Sequence, residues 1–320
     1  MSPTKKLTWL AAAVLATMAT MARSQDFPSR PITLVAPFPA GSVTDGVTRA
    51  FGQGLQDVLG KTVVVENKAG AQGTIGAAYV ARAKPDGYTL LVASSGMFVA
   101  KSLYKTLTYE PIDGFVPVSG IGATSMMFMV SEGSGYKSMA DVTKAAKDGN
   151  MSVGFGSPSG QLALALYSTT AKVNPTPVSY RGIPQALTDL AGGHVSVAIV
   201  DIGSGVAQMG QSKMRAVAVS ARSRIAAAPE VPTMDEAFPG SGVSLETIIA
   251  VTAPAGTPQA IVDKLDNAIR AALARPDVKA RFAALTTGIL PLSAADLAAR
   301  IKADAPQWEA LIKKAGIEQQ

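Results

Sequence analysis

Pro37-Phe38-Pro39-Ala40-Gly41-Ser42-Val43-Thr44-Asp45 is the stretch on which the reading of the fold turns. It follows a short apolar run, Ile32-Thr33-Leu34-Val35-Ala36, that reads as a buried strand. After it, Val47, Ala50, Phe51, Leu55, Val58 and Leu59 recur at helical spacing across residues 44–59. The stretch is therefore a strand-to-helix turn. Pro39 fixes the backbone, Gly41 permits a left-handed turn, and Ser42, Thr44 and Asp45 are all good N-cap residues. The first N–H groups of such a helix have no partner within it, so Ala40, Gly41 and Ser42 could offer an anion site made of backbone. A lone turn of this kind usually only connects strand to helix, and its context must decide.

The context repeats the pattern. Residues 62–66 read as a second strand, 67–73 as a Gly-rich turn, and 74–83 as a helix capped by Thr74 or Gly73. Pro85-Asp86-Gly87 is a turn, and residues 88–93 a third strand ending at Ser94-Ser95-Gly96. This β-α-β-α-β order predicts a parallel sheet with helices on both faces. Ligands of such sheets sit at the carboxyl ends of the strands, where all three turns lie.

Residues 115–131 form a long uncharged apolar segment. Pro117, Gly120, Gly122, Thr124 and Ser125 argue against a membrane span. Two strands, 116–121 and 126–130, are expected instead, joined across a change of domain. A second β/α unit follows. Ser138 caps a helix to Lys147, and 151–155 is a strand. Gly156-Ser157-Pro158-Ser159-Gly160 then mirrors the first turn ahead of a helix over 161–171. Tyr180-Arg181-Gly182 follows a strand, and another strand, 195–200, ends at Asp201. From residue 227 the chain is expected to return to the first domain, with a strand over 246–252 and helices over 258–274, 276–285 and 294–315. The expected units are residues 25–123 with 227–320, and residues 124–226.

A set of motifs in order supports a sharper reading. Phe27-Pro28-Ser29-Arg30-Pro31-Ile32 runs into Pro37-Phe38-Pro39-Ala40-Gly41. Val65-Glu66-Asn67-Lys68-Ala69-Gly70-Ala71-Gln72-Gly73-Thr74-Ile75-Gly76-Ala77 and Lys84-Pro85-Asp86-Gly87-Tyr88-Thr89-Leu90-Leu91 follow, then Ser94-Ser95-Gly96 and Phe115-Val116-Pro117-Val118. Later come Tyr180-Arg181-Gly182, Ala186-Leu187-Thr188-Asp189-Leu190-Ala191-Gly192-Gly193-His194-Val195 and Ala253-Pro254-Ala255-Gly256-Thr257-Pro258. Together they resemble the periplasmic solute receptors of tripartite tricarboxylate transporters, the Bug or TctC-like family. The resemblance implies an α/β periplasmic binding protein of type II: two domains, a ligand cleft between them, and closure by hinge motion. It also implies that residues 38–45 and 157–160 grip a carboxylate, and that the partners are that ligand and the membrane components of a transporter. A monomer is expected.

Composition agrees. The chain of 320 residues is 48% hydrophobic and has no cysteine, which excludes disulfides and thiol chemistry. Lys5 and Lys6, an apolar run over 7–21 and the small residues of Ala22-Arg23-Ser24 read as a secretory signal peptide over 1–24, leaving a periplasmic protein that begins at Gln25. That leader carries three positive charges and no acid, so the formal charge of +6 falls to +3 without it. The remaining charges are interleaved, and no basic stripe marks a nucleic-acid partner.

An enzyme is the competing class. No serine has glycine two places before and two after it, so the nucleophile elbow is absent. His194 is the single histidine, and Asp45 and Asp201 stand alone as metal-ligand candidates, so neither catalysis, metal nor cofactor is expected. Gly70-Ala71-Gln72-Gly73-Thr74-Ile75-Gly76 lacks the G-x-G-x-x-G spacing of a dinucleotide loop. The hydroxyls of Ser42, Thr74, Ser94, Ser95, Ser157 and Ser159 are neutral donors that suit a carboxylate.

Departures from the family pattern shape the ligand expectation. Ser42 stands where a second glycine is usual, and the second turn is shortened at Gly160. Met97, Phe98 and Ile202 stand where polar residues are common; they read equally as core, and facing the cleft they would make it apolar, while Arg181 replaces the usual lysine of Tyr180-Arg181-Gly182, where it could pair with a second carboxylate. An aromatic dicarboxylate such as terephthalate is the expected ligand. The alternatives are an aliphatic di- or tricarboxylate, an acidic amino acid, or turnover by a small-carboxylate hydrolase or lyase.

Overall fold

The computed structural model describes residues 27–149, 151–209, 213–317 and 319. The expected signal peptide lies outside the described residues.

Apolar runs bounded by proline and glycine form the strands of the first lobe, and segments of helical period pack on them. In chain order these are β1 (Ile32–Ala36), α1 (Val43–Leu59), β2 (Val63–Asn67), α2 (Thr74–Ala81) and β3 (Thr89–Ser94). β1 pairs in parallel with both β2 and β3, as the alternation predicts. A 3-10 turn (Ser95–Val99) and the short α3 (Ala100–Leu103) follow, neither of which the sequence signals.

β4 (Phe115–Ser131) is one strand of 17 residues, where two were expected. Its register slips between Pro117 and Ser119 and between Gly120 and Gly122. These irregularities absorb the proline and glycines that look like an interruption in the sequence. β4 then serves both lobes.

The second lobe comprises α4 (Met139–Lys147), β5 (Ser152–Phe155), α5 (Pro158–Ala171), β6 (Thr176–Ser179), α6 (Ile183–Ala191), β7 (Val197–Asp201), α7 (Ile202–Met209), β8 (Met214–Val219) and α8 (Met234–Ala237). β5 is parallel to β6 and β7, while β4 runs antiparallel to β7 and β8 from Met126 onward. The chain returns through β9 (Glu246–Pro254), α9 (Gln259–Ala274), α10 (Pro276–Ala284), β10 (Gly288–Ile289) and α11 (Ala294–Lys314). β9 runs antiparallel to β3 and to the first part of β4, up to Ser125 opposite Glu246. β4 and β9 are thus the two crossings, and the sheets they join are mixed.

Each lobe has its own core. Leu34, Phe51, Leu90, Val251 and Ile269 pack together in the first, and Phe128, Phe155, Tyr167 and Ile199 in the second. Ala228 and Val231 pack with Met127 and Val200, while Met234, Val243 and Leu245 join the Phe128 cluster. Residues 228–245 therefore pack with the second lobe, beyond the expected return at residue 227. α11 touches both: Leu297 and Ile301 pack with Val35 and Leu91, whereas Ala305, Trp308 and Ile312 pack with the Phe128 cluster. Pro306 lies in this helix directly after Ala305, the first residue of the second set.

Candidate functional site

Two helices begin at the cleft, one from each lobe, and their first residues make the site. Ser42 is the N-cap of α1: its backbone is extended and its Oγ accepts from the Asp45 N–H at 3.3 Å. Ser157 caps α5 the same way, accepting from the Gly160 N–H at 3.1 Å, with Pro158 at the first helical position. Each hydroxyl uses a lone pair on its own helix and keeps its hydrogen to donate. The N–H groups of Val43, Thr44 and Ser159 belong to first turns, which have no partner within the helix. The dipoles of both helices add positive potential at the same place.

A cavity of about 40 Å³ lies between these termini, lined among others by Phe38, Ser42, Val43, Thr44, Ser157 and Ser159. Ser94, at the end of β3, also lines it. The Oγ atoms of Ser94 and Ser159 are buried and have no partner within the protein, so they are available to a ligand or to water. Thr124 and Thr247 sit opposite each other on β4 and β9 and form the floor. The apolar walls are Phe38, Pro39, Val43, Met126, Ile183 and Ile249. Among the described residues the lining contains no lysine, arginine or histidine, and its single charged residue is Asp201.

Asp201 ends β7 and is 8% exposed. Its Oδ1 accepts from the Ser204 N–H at 2.8 Å and its Oδ2 from the Ser204 hydroxyl at 3.2 Å. Burial pushes its carboxyl above the ordinary range, and the bonds from Ser204 offset this only in part.

The remaining expected site residues fall into three groups. Some are spent on the scaffold. Gly41 is left-handed at φ +82°, and its N–H donates to Asp45 Oδ2 at 3.0 Å, while the Ser42 N–H donates to Pro39 O at 3.2 Å. The Gly41 and Ser42 donors are thus used inside the turn, and Ala40 is exposed and absent from the lining. Asp45 does not line the cavity: Asn67 at 2.8 Å and Arg49 at 3.0 Å hold its other oxygen. Burial alone would raise its pKa, but the Gly41 N–H, Arg49 and Asn67 together hold it below the usual value.

Others lie near the cleft but outside it. Thr74 is the first residue of α2 and bonds back to Ala71 O at 2.9 Å. Gly160 gives its N–H to Ser157. Tyr180 donates to Asp189 at 2.7 Å; burial and that bond push its hydroxyl up to about 12. Arg181 is exposed and absent from the lining, so it does not reach the cavity as expected. The side chain of Ser95 lies outside the described residues.

Met97, Phe98 and Ile202, which could face either the cleft or the core, are packed in core clusters. The walls come from residues with no distinctive motif. Thr124 was visible only as a polar break in an apolar run, and its pairing with Thr247 has no signal in sequence.

The lobes touch around this cavity. A Cβ on Gly96 would lie 2.9 Å from the Ser159 nitrogen, one on Gly182 3.0 Å from the Pro39 ring, and one on Gly203 2.5 Å from Leu285 O. Gln72, buried and left-handed at φ 51°, donates from Nε2 to Ser179 Oγ across the lobes at 2.5 Å. Among the described residues no group of three or more His, Asp or Glu converges as a metal site would require, and no helix is long and apolar enough to cross a membrane.

Known proteins share this arrangement. The structure of the periplasmic binding protein BugD is 34% identical, covering 92% of this chain and 100% of that one, with a TM-score of 0.84. MatC of Rhodopseudomonas palustris, solved with bound malate, is 30% identical over 89% of this chain and 100% of its own, with a TM-score of 0.83. Rpa4515 of R. palustris, solved with adipate, is 29% identical over 92% of this chain and 100% of its own, with a TM-score of 0.85. The two-lobed periplasmic-binding-protein fold is therefore shared. The model of the TctC family, the tripartite tricarboxylate transporter family receptors, matches residues 47–317, and the chain belongs to that family of receptors for small carboxylates.

Proposed function

We propose that this chain captures an aromatic dicarboxylate, of which terephthalate is an example, and delivers it to the membrane components of a tripartite tricarboxylate transporter. The carrying observation is a cation-free cavity on which α1 and α5 converge, with Ser42, Ser94, Ser157 and Ser159 around it. Neutral donors and helix termini stabilise a carboxylate without a salt bridge. Phe38, Met126, Ile183 and Ile249 suit an apolar body. An aliphatic dicarboxylate is the second reading, favoured by the malate and adipate held in MatC and Rpa4515.

On this reading the protein binds without turnover, acts as a monomer in the periplasm, and loses residues 1–24 on export. We place the two units at residues 27–125 with 246–317, and at 126–245, because β4 changes partners after Ser125 and residues 228–245 pack with the second lobe.

A thermal-shift screen of the purified protein against mono-, di- and tricarboxylates and aromatic acids tests this. A ligand at about a hundred times its Kd stabilises by ~2.7 kcal/mol. Terephthalate should give the largest rise. Adipate or malate ahead of it establishes the aliphatic reading, and stabilisation by no carboxylate overturns both. Mass analysis of the incubated ligand should find it unchanged, and fractionation of the host should find a soluble form beginning near Gln25.

A further inference from the structure

The cavity proposed to take a dicarboxylate has a carboxylate in its own wall. Asp201 lines the cavity, and its carboxylate accepts from the N–H and hydroxyl of Ser204 and from its own N–H. Three donors leave at least one of a carboxylate's roughly four lone-pair sites open.

No cation offsets it. β4 carries no ionisable residue along its whole length, and neither do β5 or α7. α1 brings Asp45 and Arg49, which pair with each other, and Asp57, which pairs with Arg275, while β8 brings Arg215, beside Glu132 at 3.6 Å. α6 brings Asp189, bound to Tyr180. α5 brings Tyr167, whose hydroxyl donates to Thr143 at 3.4 Å. β9 brings Glu246, beside Arg300 at 3.9 Å.

A dianion closing onto Asp201 would put two unpaired carboxylates in one desolvated space. Like charges so placed cannot both stay ionised, and such pairs share a proton. Resting on the reading above, we propose that a dicarboxylate enters this cleft with one proton, held between Asp201 and one of the ligand's carboxyl groups. The other carboxylate takes the helix termini. No covalent bond changes: the proton comes from solvent on closure and returns to it on release. The raised pKa of Asp201 in the closed cleft has the same sign, since burial without a cation already favours its protonated form.

Calorimetric titrations of terephthalate, adipate and malate between about pH 6 and about pH 8, in two buffers of different ionisation enthalpy, test this. Uptake of one proton makes the wild-type Kd rise about tenfold per pH unit above the pKa values of the free groups. Asp201→Asn supplies an N–H in place of the shared proton, so its profile should be flat and it should bind more tightly than wild type at the upper pH. Asp201→Ala should also lose the slope, which separates charge from shape.

Wild-type binding with no proton uptake overturns this inference and leaves the carboxylate reading intact. So does an unchanged slope in a folded Asp201→Asn. A folded wild-type protein that binds none of the three probes at any pH overturns the carboxylate reading and this inference with it.

Discussion

Ser42 and Asp45 divide the labour of the first turn. Ser42 caps α1 and lines the cavity; Asp45 ties the turn to Asn67 and Arg49. Ser42→Ala should lower stability by about 1 kcal/mol through the lost cap. It should also weaken ligand binding by one hydroxyl bond, roughly 0.5–1.5 kcal/mol. Urea denaturation and ligand titration measure the two separately. Ser42→Pro would break the bond to Pro39 O, so it reports on the turn and not on a ligand contact. Asp45→Asn should destabilise by roughly 1–3 kcal/mol at neutral pH, since the buried acceptor of the Gly41, Arg49 and Asn67 bonds loses its charge. Because the folded pKa of Asp45 is depressed, its contribution is present above the unfolded carboxylate value and is lost as pH falls through the folded one. Denaturation curves at about pH 7 and about pH 3 should therefore differ less for the variant than for wild type. An equal acid dependence in both would remove Asp45 from the stability argument.

At the scale of elements, β4 and α11 do what no single-lobe element does. β4 passes from β9 to β7 and β8 between Ser125 and Met126. α11 packs Leu297 on the first lobe and Ile312 on the second. Ile312 is 2% exposed near the end of this helix, so the far lobe gains a buried side chain from outside its own segment. Ile312→Ala should cost about 2–5 kcal/mol. Hydrogen exchange should show faster opening in α5 and β4 than in β1 and β2. Uniform loss of protection would mean that the two lobes unfold as one unit.

For the whole molecule, function rests on close approach of the lobes. Gly203 lies against Leu285 O and Val43, and a Cβ there would come within 2.5 Å and 2.9 Å of them. Backbone cannot yield as a side-chain tip can, so Gly203→Ala should hold the lobes apart while each folds normally. Overpacking of this size costs about 1–3 kcal/mol, which corresponds to a Kd weaker by about 5-fold to about 140-fold. Circular dichroism should stay unchanged, and small-angle scattering with ligand should give a larger radius of gyration than wild type. Wild-type affinity in this variant would show that closure does not bring Gly203 to Leu285.

The β/α alternation, the two strand-to-helix turns and the hydroxyls at their caps were legible in the residues alone. They depend on local chemistry: proline and glycine punctuation, apolar period and N-cap preference act within a few positions of the chain. Ser42, Ser94, Ser157, Ser159 and Asp201 were found in this way and line the cavity. What needed the tertiary structure was every pairing across the chain. Thr124 faces Thr247 only because β4 and β9 run antiparallel through the crossing. The direction of Arg181, the burial of Met97, and the use of the Gly41 N–H by Asp45 all follow from neighbours close in space, in the first two cases far off in sequence. The family pattern located the cleft, but the packing of two lobes decided which atoms face into it, because a side chain's direction is set by the surface it must bury.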